Sequence, residues 1–107
     1  MNYRSKTFSN ERIDLADKSF HDCTFQDCEL VFDGARSPTF KDNRFVDTVF
    51  IFTDEAVRTL YFLANIYHAG EGGQQVIEET FEAIRQGSFH GREVSTSAPA
   101  TVDHSLA

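Results

Sequence analysis

Large apolar residues recur every five positions through the first half of the chain. Leu15, Phe20, Phe25, Leu30, Phe40, Phe45 and Phe50 lie on one such comb, and Ala35 is its only gap. Two residues before these teeth stand Ile13, Cys23, Cys28, Asn43 and Thr48. Three residues before them stand Asp17, Asp22, Asp27, Asp42 and Asp47. A helix repeats its faces every 3.6 residues and a strand every 2, so neither gathers every fifth residue on one face. A square solenoid does, if each five-residue step forms one side.

Four such sides make a turn of about 20 residues. Position n then stacks on n+20. This pairs Phe20 with Phe40, Phe25 with Phe45, Leu30 with Phe50, Cys23 with Asn43 and Cys28 with Thr48. Asp22 over Asp42 and Asp27 over Asp47 form outward acidic columns. The repeat is expected over 11–52, as about two coils, with residues 1–10 as a polar leader. Asp33 and Ala35 interrupt the fourth side, and Gly34 and Pro38 mark a bulged or looped segment there. Phe20, Phe25, Phe40, Phe45 and Phe50 are expected to be buried.

Helical spacing replaces the comb after residue 52. Thr53-Asp54-Glu55 reads as a helix start, with Thr53 as the N-cap. Ala56, Val57, Leu60, Leu63, Ala64 and Tyr67 form one apolar face down to about His68. Gly70-Glu71-Gly72-Gly73 reads as a turn, and a second helix is expected from Gln74 to Gln86, stopped by Gly87. The pair is expected as a helical hairpin capping the solenoid. Residues 1–87 then form a single domain. Residues 88–107, with Ser95-Thr96-Ser97-Ala98-Pro99-Ala100-Thr101, are expected as a disordered tail.

The stretches Ser19-Phe20-His21-Asp22-Cys23-Thr24-Phe25-Gln26-Asp27-Cys28-Glu29-Leu30 and Thr39-Phe40-Lys41-Asp42-Asn43-Arg44-Phe45-Val46-Asp47-Thr48-Val49-Phe50 resemble the pentapeptide-repeat family. The resemblance covers about two-fifths of the chain. It implies a right-handed quadrilateral β-helix, with the central Leu or Phe and the small residue two before it both turned inward. Lys18 and Pro38 depart from that pattern, because a small residue is expected at each. The fold class expected is therefore mainly β plus α: a short β-helix with a C-terminal helical cap.

Charge and chemistry narrow the function classes. The chain of 107 residues carries a formal net charge of −7. Direct nucleic-acid binding needs cations to neutralise phosphates and is not expected. The apolar runs are too short to span a membrane, and the N-terminus lacks the apolar stretch of a signal peptide, so a cytoplasmic protein is expected. Cys23 and Cys28 are read as core residues rather than a disulfide or metal pair. The glycines lie in the wrong context for a phosphate loop. The acids are periodic, so no two stand out as an acid–base pair. His68 with Tyr61 and Tyr67 is the only cluster that invites inspection as a site. No enzymatic activity, cofactor or metal is expected.

Two binding functions remain. The first is a protein–protein interaction module that pairs with itself and with an unidentified protein. Phe62 and Ile66 lie off the apolar face of the first helix, so they are expected at a subunit contact or against the second helix. The resemblance points the same way, since the family often dimerises through terminal caps. The alternative is a nucleic-acid mimic that inhibits a DNA-binding or defence complex, as some family members do. Its acidic surface would be Asp22, Asp27, Asp42, Asp47, Glu78 and Glu82, gathered on one continuous face.

Overall fold

The computed structural model describes residues 1–98. It holds nine short strands: β1 Asn2–Arg4, β2 Thr7–Ser9, β3 Arg12–Asp14, β4 Ser19–His21, β5 Thr24–Gln26, β6 Glu29–Phe32, β7 Thr39–Lys41, β8 Arg44–Val46 and β9 Val49–Phe52. Two helices follow, α1 Asp54–Tyr67 and α2 Glu71–Gln86. The chain divides into two compact units, Met1–Thr59 and a second from Leu60 onward.

In the first unit consecutive strands never pair with each other. Each pairs in parallel with the strand three places on, which gives three parallel sheets ordered β1-β4-β7, β2-β5-β8 and β3-β6-β9. This stacking is compatible with a β-helix-like arrangement. The strands form three tiers rather than about two coils. The expected polar leader supplies β1 and β2, so the repeat begins at Tyr3 and not at residue 11.

The upper register is the expected one. Phe20 pairs with Phe40, Phe25 with Phe45 and Leu30 with Phe50, twenty residues apart. The lower register is 17: Tyr3 pairs with Phe20, Phe8 with Phe25 and Ile13 with Leu30. The difference arises on the side without a strand. Four residues, 15–18, cross it after β3, whereas six, 33–38, cross it after β6, and β6 is itself one residue longer than β3. Ile13 therefore lies under Leu30, where stacking by 20 would put Asn10, and Leu15 is buried on the strandless side. The break expected around Asp33–Pro38 is a loop. Gly34 lies there at φ 92°, and a Cβ on it would meet the Ala56 nitrogen at 2.7 Å. Only glycine allows the first turn of α1 to approach that closely.

Aromatic rings fill the space between the three sheets. Phe8, Phe25 and Phe45 stack face to face at 5.1 and 5.4 Å, as do Tyr3, Phe20 and Phe40 at 5.3 and 5.2 Å. Neighbouring columns meet edge to face, as at Phe20 and Phe25, the geometry that ring quadrupoles favour. Leu15, Phe20, Cys23, Phe25, Cys28 and Leu30 are almost wholly buried. Phe45 and Phe50 were expected to be buried too, but they are 44% and 47% exposed. They belong to the last tier among the described strands.

Hydrogen bonds between side chain and backbone join the last two tiers. The Cys23 amide donates to Asn43 Oδ1 at 2.9 Å, and Asn43 Nδ2 donates to the Phe20 carbonyl at 3.1 Å. One level across, the Cys28 amide donates to Thr48 Oγ1, which donates in turn to the Phe25 carbonyl. Asn43 and Thr48 thus occupy inward positions without leaving a polar atom unpaired. Both thiols are free and buried, and each lies beside a backbone carbonyl.

In the second unit, α2 starts at Glu71 and not at Gln74. Of the glycines read as a turn, Gly70 is the N-cap, while Gly72 and Gly73 are buried in the first turn, where a Cβ on Gly73 would lie 2.0 Å from the Ile66 carbonyl oxygen. Gly87 ends α2 in the left-handed conformation, with its amide turned back to Ala83 and Ile84. Residues 88–98 carry no strand or helix, though Thr96 shares a hydroxyl–hydroxyl bond of 2.8 Å with Thr80 of α2. The remainder of the expected tail, 99–107, lies outside the described residues.

The exposure gradient sets the cost of removing a ring. Phe25→Ala should destabilise the protein by about 3–5 kcal/mol. Phe45→Ala should cost only roughly 1–2 kcal/mol, because almost half of that ring is already in water. Urea titration of both variants measures the difference, and equal losses would mean that the last tier is covered in solution.

Candidate functional site

The aspartates that invited a functional reading occupy one backbone conformation. Asp22, Asp27, Asp42 and Asp47 have φ between 46° and 57°, and Ser5 and Asn10 take the same conformation one tier below. These are the turns between consecutive strands. Positive φ is unfavourable for most L residues, and short polar residues such as Asn and Asp tolerate it best. At the four turns of the lower two tiers the amide still reaches the next tier. The Ser5, Asn10, Asp22 and Asp27 amides donate to the carbonyls of His21, Gln26, Lys41 and Val46 at 2.9–3.0 Å. The five-residue spacing of the acids is thus a requirement of the backbone.

Asp22 and Asp42 follow the paired residues His21 and Lys41, Asp27 and Asp47 follow the paired residues Gln26 and Val46, and cations stand beside the first two. Arg4, His21 and Lys41 align across β1, β4 and β7. Arg4 Nη1 lies 2.9 Å from His21 Nδ1, and His21 Nε2 lies 3.9 Å from Asp42. Ser5 Oγ donates to Asp22 at 3.0 Å. Glu78 and Glu82 belong to the second unit, on α2. Glu82 there accepts from Arg85 and Gln86 at 3.0 and 3.1 Å.

A polar cleft of about 360 Å³ opens beside Arg12, Asp14, Val31, Asp33, Thr53 and Asp54. Two of its carboxylates are engaged in local turns. Asp14 accepts from the Ala16 amide at 3.0 Å and Asp33 from the Ala35 amide at 2.9 Å. Arg12 leans toward Glu29 at 3.5 Å. Among the described residues, no group of three or more His, Cys, Asp or Glu side chains is arranged to hold a metal ion. No helix among them is long and apolar enough to cross a membrane.

The helices of the second unit present apolar surface on more than one face. Phe62 is 61% exposed, whereas Ile66 is half-buried near the start of α2. Both line a groove of about 470 Å³ with Val76, Ile77 and Thr80 of α2, and Val94, Thr96 and Ala98 line it as well. Leu60, Leu63, Tyr67, Ile77 and Phe81 border a second groove, of about 300 Å³. His68 lies there against Tyr67, edge to face at 5.5 Å. Tyr61, expected with them, does not line that groove and is 68% exposed.

Sequence reasoning missed an apolar collar on the last tier. Outward positions around the strand ladders change character from tier to tier. Ser9, Gln26 and Val46 share one ladder position; Arg12, Glu29 and Val49 share the next; Asp14, Val31 and Ile51 share a third. The first tier is polar at these three positions and the last is apolar, while Thr39, Lys41 and Arg44 keep other outward positions of the last tier polar. A five-residue repeat marks the inward positions and carries no information on how outward positions differ from tier to tier. Comparison with protein-family models, with curated proteins and with solved structures finds no match for this chain.

The turn geometry separates conformational from electrostatic roles for the acids. Asp27→Asn should leave stability within about 0.5 kcal/mol of the parent. Asp27→Val should lose roughly 1–2 kcal/mol, the cost of a β-branched residue at positive φ. Thermal melts of both variants check this, and equal stability of the two would remove the backbone explanation.

Proposed function

We propose that this chain is a non-enzymatic protein–protein interaction module that works as a homodimer and engages a further protein. We further propose that its strands form a short right-handed quadrilateral β-helix of the pentapeptide-repeat type. Parallel pairing of every third strand and the register of 20 between the upper tiers support the coil.

One observation carries the interaction reading. Large apolar side chains face water in both units: Phe45, Phe50 and Phe52 in the first, and Tyr61, Phe62, Phe81 and Ile84 in the second are each 44–68% exposed. Scattered exposed apolar residues are ordinary on a protein surface, but contiguous ones mark contact sites. On the helices, Phe62 is the residue proposed to meet the partner protein. The acids favour this reading over a nucleic-acid mimic. Their positions answer to turn conformation, and the Arg4–His21–Lys41 row runs beside Asp22 and Asp42.

Light scattering tests the assembly. The protein should elute with twice its chain mass of 12.1 kDa. A single-chain mass that persists up to high concentration would remove the homodimer.

A further inference from the structure

We propose that the groove of the second unit recognises an extended peptide segment, and that residues 94–98 of the same chain occupy it as a displaceable strap. The partner it fits is a protein segment in extended conformation. That segment carries a hydroxyl donor, with an apolar residue two positions away on each side. The inference rests on the reading that this chain engages a further protein, and it does not depend on the homodimer.

Alternation along the strap carries the inference. Val94, Thr96 and Ala98 line the groove, whereas Ser95 and Ser97 between them do not. Side chains that change sides at every residue mark an extended backbone. The β-branched Val94 and Thr96 favour that conformation. Opposite them stand Phe62 and Ile66 of α1 with Val76 and Ile77 of α2. The chain reaches this position by reversing after α2. Gly87 and Gly91 both take the left-handed conformation, at φ 65° and 69°, and the segment then returns from the end of α2 at Gln86 to Thr80.

One hydrogen bond sets the register. Thr80 Oγ1 donates to the Val76 carbonyl at 2.8 Å. A hydroxyl has a single proton, so the 2.8 Å contact between Thr80 Oγ1 and Thr96 Oγ1 takes its proton from Thr96. The wall of the groove thus presents an acceptor, and the middle residue of any occupant must donate to it. Thr96 is the half-buried residue of the strap, while Val94 and Ala98 on either side are exposed.

The strap fills the groove incompletely, which makes it displaceable. About 470 Å³ stays open beside Val94, Thr96 and Ala98, and Phe62 is still 61% exposed. A segment with larger apolar side chains at the two outer positions would bury more surface there than valine and alanine do. The strap has the advantage of its tether. A short flexible connection gives an effective concentration on the order of millimolar. It therefore excludes weak ligands and yields to tighter ones.

Competition with a synthetic peptide tests the site. The probe is a fluorescein-labelled peptide of residues 90–98, followed by fluorescence anisotropy against the full chain. Val94→Asp with Thr96→Asp in the chain sets two charges against the apolar groove and releases the strap. The probe should bind this released chain about tenfold more tightly than the wild type, because the tethered competitor is gone. A probe with Thr96→Val should bind the released chain roughly two- to tenfold more weakly, the loss of one hydrogen bond. A probe with Thr96→Ser should lose less.

A cysteine pair gives an independent test. The Thr80 and Thr96 hydroxyl oxygens lie 2.8 Å apart. Thr80→Cys with Thr96→Cys should therefore close a disulfide within one chain under mild oxidation. The locked chain should not bind the probe until it is reduced. The native thiols are buried and do not compete for the link. If circular dichroism shows that the released variant is misfolded, the locked pair decides alone. A released chain that binds the probe no more tightly than the wild type would overturn the strap. Failure of the cysteines to link would overturn the contact, and a link between two chains would overturn occupancy within one chain. Equal affinity of the Thr96→Val probe would overturn the hydroxyl register. Chain mass in solution bears on the homodimer alone, so either reading can fail without the other.

Discussion

Everything in the first unit depends on turning the chain every five residues while keeping the strands of successive tiers in register. The turn is made at positive φ by Ser5, Asn10, Asp22, Asp27, Asp42 and Asp47. At four of these residues the amide is directed to a carbonyl one tier away. The turn therefore stitches the tiers together instead of interrupting them. Once those turns are set, the central residue of each strand is held over its counterpart, and rings stack because the backbone has already aligned them. In the middle tier the small residue just after each turn packs below the next tier, where Cys23 and Cys28 meet Asn43 and Thr48. A larger side chain there would compete with the rings for the same space.

The sequence disclosed this arrangement unevenly, and the reasons are physical. The upper two tiers were legible because central ring, small residue and aspartate all repeat at a constant interval. The first tier was hidden by its phase. Tyr3, Phe8 and Ile13 are also five apart, but a shorter strandless side puts them out of step with Phe20. Ser5 and Asn10 signal that tier, since both stand two residues after a large apolar position and both suit a left-handed turn. The early start of α2 was hidden for another reason. Glycine weakens a helix by propensity, yet the close approach of the Ile66 carbonyl to Gly73 makes glycine the residue that fits.

Burial was the least legible property. A repeat tells which way a side chain points, and it carries no information on whether another tier lies beyond. Phe25 and Phe45 are equivalent in the pattern, but one is wholly buried and the other almost half exposed. The candidate surfaces follow the same division. Phe62 was identifiable from helical spacing alone, because it falls off the face used for packing. The collar of Val46, Val49 and Ile51 emerges only when tiers are compared at fixed ladder positions.

Those ladder positions bear on the role of the net charge. Acids at the turns serve the backbone, so their periodic spacing requires no electrostatic function. Outward strand positions are under no such conformational demand. They could be polar in every tier, as they are in the first at Ser9, Arg12 and Asp14. Hydrophobic residues at the corresponding last-tier positions weaken solubility and add nothing to the stacked rings inside. Among the features of this unit, the collar is therefore the one whose chemistry folding leaves unexplained, and contact with another apolar surface accounts for it.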